Sequence, residues 1–306
     1  MLTHGSPTCG ITLFGGEPLL VFDRIAYFVE RAQRMGLTLK YSITTNGTLV
    51  SEESLKYLAS RKIMLLSSID GGKETHDKHR KYPDGRGSFD DIIKNLELLK
   101  KYQGWTGARV TPTPETVGRL AADIKELHSL GINQFIVGPA TGVKWDNESV
   151  KRFSEQIIDA SHWYAEQKKR GAALKLSFAE ADRESGFTYY GCGAGRARVA
   201  VDIDGVIYGC AKLASAHRSG SGVMAIGNVF DDVPISSPVK RAALFKRTLW
   251  ERKRCEKCKI LSTCHGGCPA ANYTATGSMY KQPDYECRMN KVVQKAKVEI
   301  QRIVSA

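Results

Sequence analysis

Seven cysteines crowd into residues 192 to 287, spaced C-x12-G-x4-C, then after 44 residues C-x2-C-x5-C-x3-C, and after 18 more a final C. They are Cys192, Cys210, Cys255, Cys258, Cys264, Cys268 and Cys287, with Gly205 inside the first pair. An eighth, Cys9, stands alone. Thiolates at such short spacings converge on one centre, because a turn brings successive sulfurs to the same side. A secreted disulfide framework would call for an export signal and an even count. The N-terminal MLTHGSPTCGITLF lacks a basic start followed by a sustained apolar core, and seven is odd. Metal or cluster ligation accounts for the pattern better, with paired zinc ribbons or simple buried thiols as the alternatives. Seven is one short of two four-cysteine sites.

The chain has 306 residues, 42% of them hydrophobic and 25% charged, an ordinary globular balance. That length suits a domain of roughly 180 residues with a smaller one appended. No apolar run approaches the roughly 18 residues of a membrane span, so the chain reads as cytoplasmic with no membrane partner. A net charge of +13 would suit an anionic partner. Lys and Arg, however, are spread over helical stretches such as IIKNLELLKKYQ and VVQKAKVEI, and cluster thiolates would cancel several of them. Nucleic acid is therefore not the expected partner, since it asks for a clustered patch and an aromatic platform.

From residue 10 to about 140, short β-rich runs alternate with amphipathic ones. ITLF, LKYSITT, IMLLSSI, ARVTPT and QFIVG read as strands buried on both faces, being nearly continuous in apolar or β-branched residues. FDRIAYFVERAQRMG, SEESLKYLASR, FDDIIKNLELLKKY and ETVGRLAADIKELHSLG carry apolar residues at helical spacing, and several open on Ser or Asp and close near Gly. This alternation implies an α/β fold of parallel βαβ units, an open sheet or a barrel, with ligands at the C-terminal strand ends. Gly15-Gly16-Glu17-Pro18, TTNGTL (Thr44 to Leu49) and SSIDGGKETHDKHR (Ser67 to Arg80) fall at such ends. A long helix from about Asn147 to Arg170 leads through LKLSF towards the cysteines. VAVDIDGVIYGC reads as a hairpin turning at Asp204 and Gly205. A Gly/Ser loop, a basic helix, the dense cysteines and a terminal helix from about Asn290 follow. The domain boundary falls between residues 171 and 190.

The cysteine pattern with its hairpin glycine, together with GGEP, resembles radical SAM enzymes that carry a C-terminal SPASM domain, the peptide and sulfatase maturases. The resemblance implies a partial (β/α)6 TIM-like barrel over residues 1–175 and a SPASM domain over 186–306. Cys255, Cys258, Cys264 and Cys287 would hold an outer auxiliary [4Fe-4S] cluster; Cys192, Cys210 and Cys268 would hold an inner one. Relatives with a fully ligated inner cluster take an eighth cysteine from just before the first. ESGFTYYG has none there, which implies an open iron or a borrowed ligand. Gly15, Gly16, Glu17 and Pro18 would bind the amino group of S-adenosylmethionine (SAM), and Ser68 and Arg80, twelve residues apart, would contact the same cofactor. Asn46-Gly47 and Asp70-Gly71 are good turns whatever they bind, with His76 and Asp77 as candidate caps of the next helix.

The family's catalytic [4Fe-4S] cluster takes a C-x3-C-x2-C motif that this sequence does not contain. Cys9 has no partners and reads as a non-ligand. The expectation is an N-terminal truncation whose barrel lacks its first βα unit and which, as written, does not cleave SAM. In a full-length form the resemblance implies reductive cleavage of SAM and hydrogen abstraction by a 5′-deoxyadenosyl radical from a peptide or protein substrate. A flavodoxin or ferredoxin would donate electrons, and the auxiliary clusters would accept or relay them. Thioether or carbon–carbon crosslinking of a ribosomally made peptide is the expected reaction. Formylglycine-forming sulfatase maturation is the alternative, but those enzymes carry an Asp, a proposed base, directly after the second cysteine of the domain, where Ala211 stands here. A non-catalytic iron–sulfur or zinc-binding peptide-interaction module is the rival class. Asp202 and Asp204 read as turn residues.

Overall fold

Helices in the first half bury one stripe each. In α1 (Phe22–Arg34) the stripe is Ile25, Val29 and Ala32, and in α4 (Phe89–Tyr102) it is Phe89, Ile92, Leu96 and Leu99. Such spacing puts the apolar side chains on one face, where burial of each one larger than alanine contributes about 1.5–3 kcal/mol. The computed structural model, which describes residues 9–179, 194–195, 198–218, 225–238, 255, 257–260, 264 and 266–305, shows what those stripes cover. β1 (Cys9–Leu13), β2 (Leu39–Thr45), β3 (Met64–Ser68), β4 (Gly107–Val110), β5 (Gln134–Val137) and β6 (Lys175–Leu176) form one sheet in sequential order. Every neighbouring pair is parallel, and β1 and β6 are edges, so the sheet is an opened β/α barrel.

Between the strands run α1, α2 (Glu52–Ser60), the short α3 (Lys73–His79) with α4, and α5 (Leu120–Ser129). The long α6 (Asn147–Lys169) precedes β6. Ser51 caps α2 by a reciprocal box with Ser54, in which each side chain satisfies the other's backbone amide. Strand and helix positions agree with the sequence reading, with two differences. α3 was not expected as a helix. Nor are the strands buried on both faces: Tyr41, Ile43, Thr45, Leu65, Ser67 and Phe135 are buried, whereas Met64 and Ile136 are each 39% exposed. No second helical layer among the described residues covers the opposite face, so the β-branched and apolar run reflects strand propensity there and not burial.

Residue contacts divide the chain into two units, Met1–Pro139 with Glu155–Glu180 and Ile300–Ala306, and Ala140–Ser154 with Ala181–Glu299. In the second, β7 (Ala200–Val201), β8 (Val206–Tyr208) and β9 (Ala225–Asn228) form an antiparallel sheet with β8 central. β7 and β8 are the expected hairpin. Gly205 sits at φ +75, and a Cβ there would strike Phe230 and Asn228, which accounts for the glycine at this turn. β9 and the helix α7 (Ala211–Arg218) were not anticipated. α8 (Pro269–Thr276) and α9 (Asp284–Ser305) complete the described elements, α9 starting six residues before the expected Asn290. The basic helix expected ahead of Cys255 lies outside the described residues. No described helix is long and apolar enough to cross a membrane.

Candidate cofactor and cluster sites

At the end of β1 the chain turns into a 3-10 segment, Pro18–Val21, whose first amides need acceptors. Glu17 supplies one: its Oε1 accepts from Leu19 N at 3.0 Å and from Thr45 Oγ1 at 2.6 Å, and its Oε2 accepts from Asn46 N at 2.7 Å. The carboxylate thus ties the end of β1 to the end of β2. Pro18 is buried beside it. Gly15 and Gly16 are exposed, and a Cβ on either would meet nothing within 4 Å. This leaves bare backbone open to a ligand at the strand end.

β3 ends one strand further along. Ser68 is the register partner of Arg109, and Arg109 of Ile136, so all three share the open face. Just past β3, Asp70 is buried and receives the Arg80 fork: Nε at 2.5 Å to Oδ2 and Nη2 at 3.1 Å to Oδ1. Thr111 N also donates to Oδ1, at 2.8 Å. Arg109 makes no ion pair among the described residues. Burial pushes its pKa down, with Asp70 opposing and Arg80 adding to the fall. Two guanidinium groups therefore face one carboxylate, leaving an excess positive charge beside Ser68 and a site suited to an anion.

The loop behind this pair is held from below. Asp123, on the buried side of α5, accepts from Gly72 N at 3.1 Å and from Thr75 Oγ1 at 2.9 Å. A Cβ on Gly71 would lie 2.5 Å from Asp123 Cγ, so only glycine permits this approach. His76 is fully buried; its Nδ1 accepts from Asp70 N at 3.3 Å, which puts the proton on Nε2, facing Ser88 Oγ at 3.0 Å. Asp77 accepts from Phe89 N at 2.9 Å and caps α4, while His76 braces the Asp70 turn.

Burial, reinforced by the Arg80 charge, lowers His76 to about 4, so the fold prefers the neutral ring. Stability from this preference is present above the free histidine value of about 6.5 and is lost as pH falls from there towards about 4. Asp123 acts in the opposite sense, since burial raises its pKa to about 6 and its contribution is lost as pH rises through that value. Between pH 4 and 6.5 these two contributions to stability offset each other. In His76→Asn stability is expected to increase as pH falls, and melting temperature against pH for the variant and the wild type checks this; parallel profiles would refute it.

In the second unit six of the seven grouped cysteines are described, none in a disulfide, and Cys192 lies outside the described residues. Cys210 lies two residues past the end of β8, directly before α7, and Cys268 is the N-cap residue of α8; both pack against the cluster of Ile207, Tyr208, Leu213, Ile226 and Ala270. Burial raises the Cys268 pKa, with the Ala271 and Ala270 amides and Lys212 opposing and Glu286 adding. Cys255 and Cys258 share a turn closed by Cys258 N to Cys255 O at 3.0 Å. Cys264 Sγ accepts from Asn290 Nδ2 at 3.8 Å, which places it against the start of α9, where Cys287 lies one turn before Asn290. No three His, Cys, Asp or Glu among the described residues are grouped tightly enough for a single metal ion. A four-iron cube does not ask for that, because each ligand binds a different corner. Asp202 and Asp204 stay in the hairpin turn, Gly205 N donating to Asp202 O at 3.0 Å.

The sequence reading missed Asp70 as an ion-pair partner, and missed Arg109 and Asp123 altogether. An Arg inside the strand ARVTPT and an Asp on the apolar side of a helix were the available signals.

Residues 6–127 of the chain match the model of the radical SAM superfamily. The chain is homologous to anaerobic sulfatase-maturating enzymes. The cysteine-type enzyme of Clostridium novyi is 34% identical over 99 residues, 31% of this chain and 26% of that protein. The cysteine-type enzyme of Clostridium perfringens strain 13 is 26% identical over 290 residues, 88% of this chain and 76% of that protein. The serine-type enzyme of Klebsiella aerogenes is 24% identical over 278 residues, 84% of this chain and 65% of that protein. The chain therefore spans from about a quarter to three quarters of these relatives. Its fold matches anSMEcpe with bound AdoMet at TM-score 0.75 and 20% identity, covering 98% of this chain and 82% of that one. Streptococcus suis SuiB bound to precursor peptide SuiA matches at TM-score 0.61 and 20% identity, covering 90% and 65%.

Proposed function

We propose that this chain comprises the SAM-binding barrel and the auxiliary-cluster domain of a radical SAM maturase that modifies a ribosomally made peptide. The observation that carries the reading is the rim formed by exposed Gly15 and Gly16, the Ser68 hydroxyl and the Asp70, Arg80 and Arg109 charges. SAM presents an ammonium, a carboxylate and a ribose. Open backbone suits the ammonium, the excess guanidinium charge suits the carboxylate, and a serine hydroxyl suits either a carboxylate or a ribose oxygen. Arg80, forked onto Asp70, positions the pair, and Arg109 is the freer cation. When bound beside a cluster held by a C-x3-C-x2-C motif, SAM would supply the radical chemistry that takes hydrogen from the substrate. The barrel residues bind and orient it, and Cys192, Cys210, Cys268 and Cys255, Cys258, Cys264, Cys287 hold the two auxiliary clusters.

A peptide substrate is supported by the fold neighbours, which include anSMEcpe with a bound Cp18Cys peptide and SuiB with its precursor peptide. Crosslinking is favoured over formylglycine formation because α7 begins with Ala211 directly after Cys210, where an acidic base is absent. The relatives' names favour sulfatase maturation as the second reading.

The test starts with anaerobic reconstitution, where about eight irons per chain and SAM binding without cleavage are expected. A form carrying C-x3-C-x2-C is then given a crosslinkable precursor peptide and a sulfatase-derived peptide. Loss of a hydrogen pair from the first, seen by mass spectrometry, supports crosslinking; an aldehyde on the second shifts the assignment to sulfatase maturation. Folded protein with stoichiometric zinc and no iron would sink both.

A further inference from the structure

The turns that carry the thiols assigned to the outer site, Cys255, Cys258, Cys264 and Cys287, are joined by direct contacts within the second unit. Cys258 N donates to Cys255 O at 3.0 Å, and Cys264 N to Ile260 O at 2.8 Å. Beyond Cys264, Gly267 N donates to Cys264 O at 3.1 Å, so the backbone is fixed on both sides of this thiol. Asn272, fully buried, holds the same loop, its Nδ2 donating to Gly266 O at 3.1 Å and to Met279 O at 3.0 Å. The Cys264 sulfur itself accepts from Asn290 Nδ2 at 3.8 Å, a length that the larger radius of sulfur allows. Asn290 and Cys287 stand three residues apart on α9, which puts them on one face of the helix. One side-chain amide therefore ties the Cys264 sulfur to the helix face that bears Cys287. Thiols carried on linked turns in this way suit an iron cube, in which each binds a separate corner.

We propose, resting on the auxiliary-cluster reading of these thiols, that Asn290 is a positioning residue of the outer cluster: its amide donates to the Cys264 thiolate and raises the cluster's reduction potential. Reduction by one electron adds negative charge that spreads onto the cysteine sulfurs. A donor aimed at one of them stabilises the reduced form more than the oxidised one. No bond to Asn290 is made or broken, and the electron comes from an external one-electron donor. A neutral amide suits the task, because it directs a dipole at the sulfur without carrying a charge that changes with pH. Donors placed behind the ligands in this way orient them and tune the metal together. The bond makes the outer cluster a better electron acceptor than its four thiolates alone would.

The test compares wild type with Asn290→Leu and Asn290→Gln, each reconstituted anaerobically, by iron analysis and by a dithionite titration followed by EPR. Asn290→Leu keeps the volume of the side chain and removes the donor. It is expected to keep about eight irons and to lower one of the cluster potentials by about 59 mV, about a tenfold change in a one-electron equilibrium, leaving the other in place. Asn290→Gln retains an amide and is expected to recover part of that shift. Unchanged potentials in Asn290→Leu would overturn the proposal. So would loss of about four irons, which would make Asn290 a residue that retains the cluster and does not set its potential. Should Asn290→Leu fail to fold, Asn290→Asp, which accepts but does not donate, carries the same comparison and is expected to shift the potential the same way. The reading beneath the proposal fails separately: Cys264→Ala with iron content and EPR signals unchanged removes Cys264 as a ligand, and folded wild type without iron removes the site altogether.

Discussion

Arg109→Leu is expected to weaken SAM binding by about ten- to a hundredfold while leaving the melting temperature unchanged or higher, because one charge-assisted contact is worth about 1.5–3 kcal/mol. Arg109 is a guanidinium without an ion pair among the described residues, on the open face beside Ser68. Burial already disfavours its charge, and Arg80 nearby repels it. Removing it therefore relieves a cost in the unliganded protein and removes a partner only when an anion is bound. Equilibrium dialysis with labelled SAM on the reconstituted chain, beside a thermal melt, separates the two effects. Unchanged affinity would remove Arg109 from the site. Lower affinity accompanied by a large loss of stability would make it a structural residue.

Asp70→Ala is expected to do the reverse, costing about 2–4 kcal/mol of folding stability, since it leaves buried positive charge uncompensated. The estimate is set below the full cost of breaking a buried pair because the Arg80 side chain is 30% exposed. The Asp70 carboxylate accepts from Arg80 twice and from Thr111 N, so the substitution unties the end of α3 and the end of β4 from the turn after β3, while the backbone amide that donates to His76 is kept. Urea denaturation measures the loss. Adding Arg80→Leu to Asp70→Ala is expected to restore part of it, because the stranded charge goes with it. A double variant no more stable than Asp70→Ala alone would show that the Thr111 bond, not the ion pair, carries the stability.

Local chemistry made most of the fold readable in the sequence. β2 spans the seven residues expected of it, and α1, α2, α4 and α5 fall where the apolar stripes and caps put them. These features depend on residues within a turn or two of one another, and the same holds for the hairpin at Gly205 and the cysteine spacing. α3 escaped because its seven residues, KETHDKH, carry no apolar stripe; it is held by Thr75 bonding to Asp123 and His76 to Asp70 and Ser88, partners 6 to 48 residues away.

The sequence by itself thus determined the α/β class, the order of its elements, the strand-end motifs and the cysteine set, because each is written in short-range periodicity or spacing. Only the tertiary structure decided that, among the described residues, one sheet face stays open and that Arg80 is committed to Asp70 while Arg109 makes no ion pair. Charge compensation and burial are properties of groups brought together across strands and helices, and no local pattern encodes which ion is left over when the rest have paired.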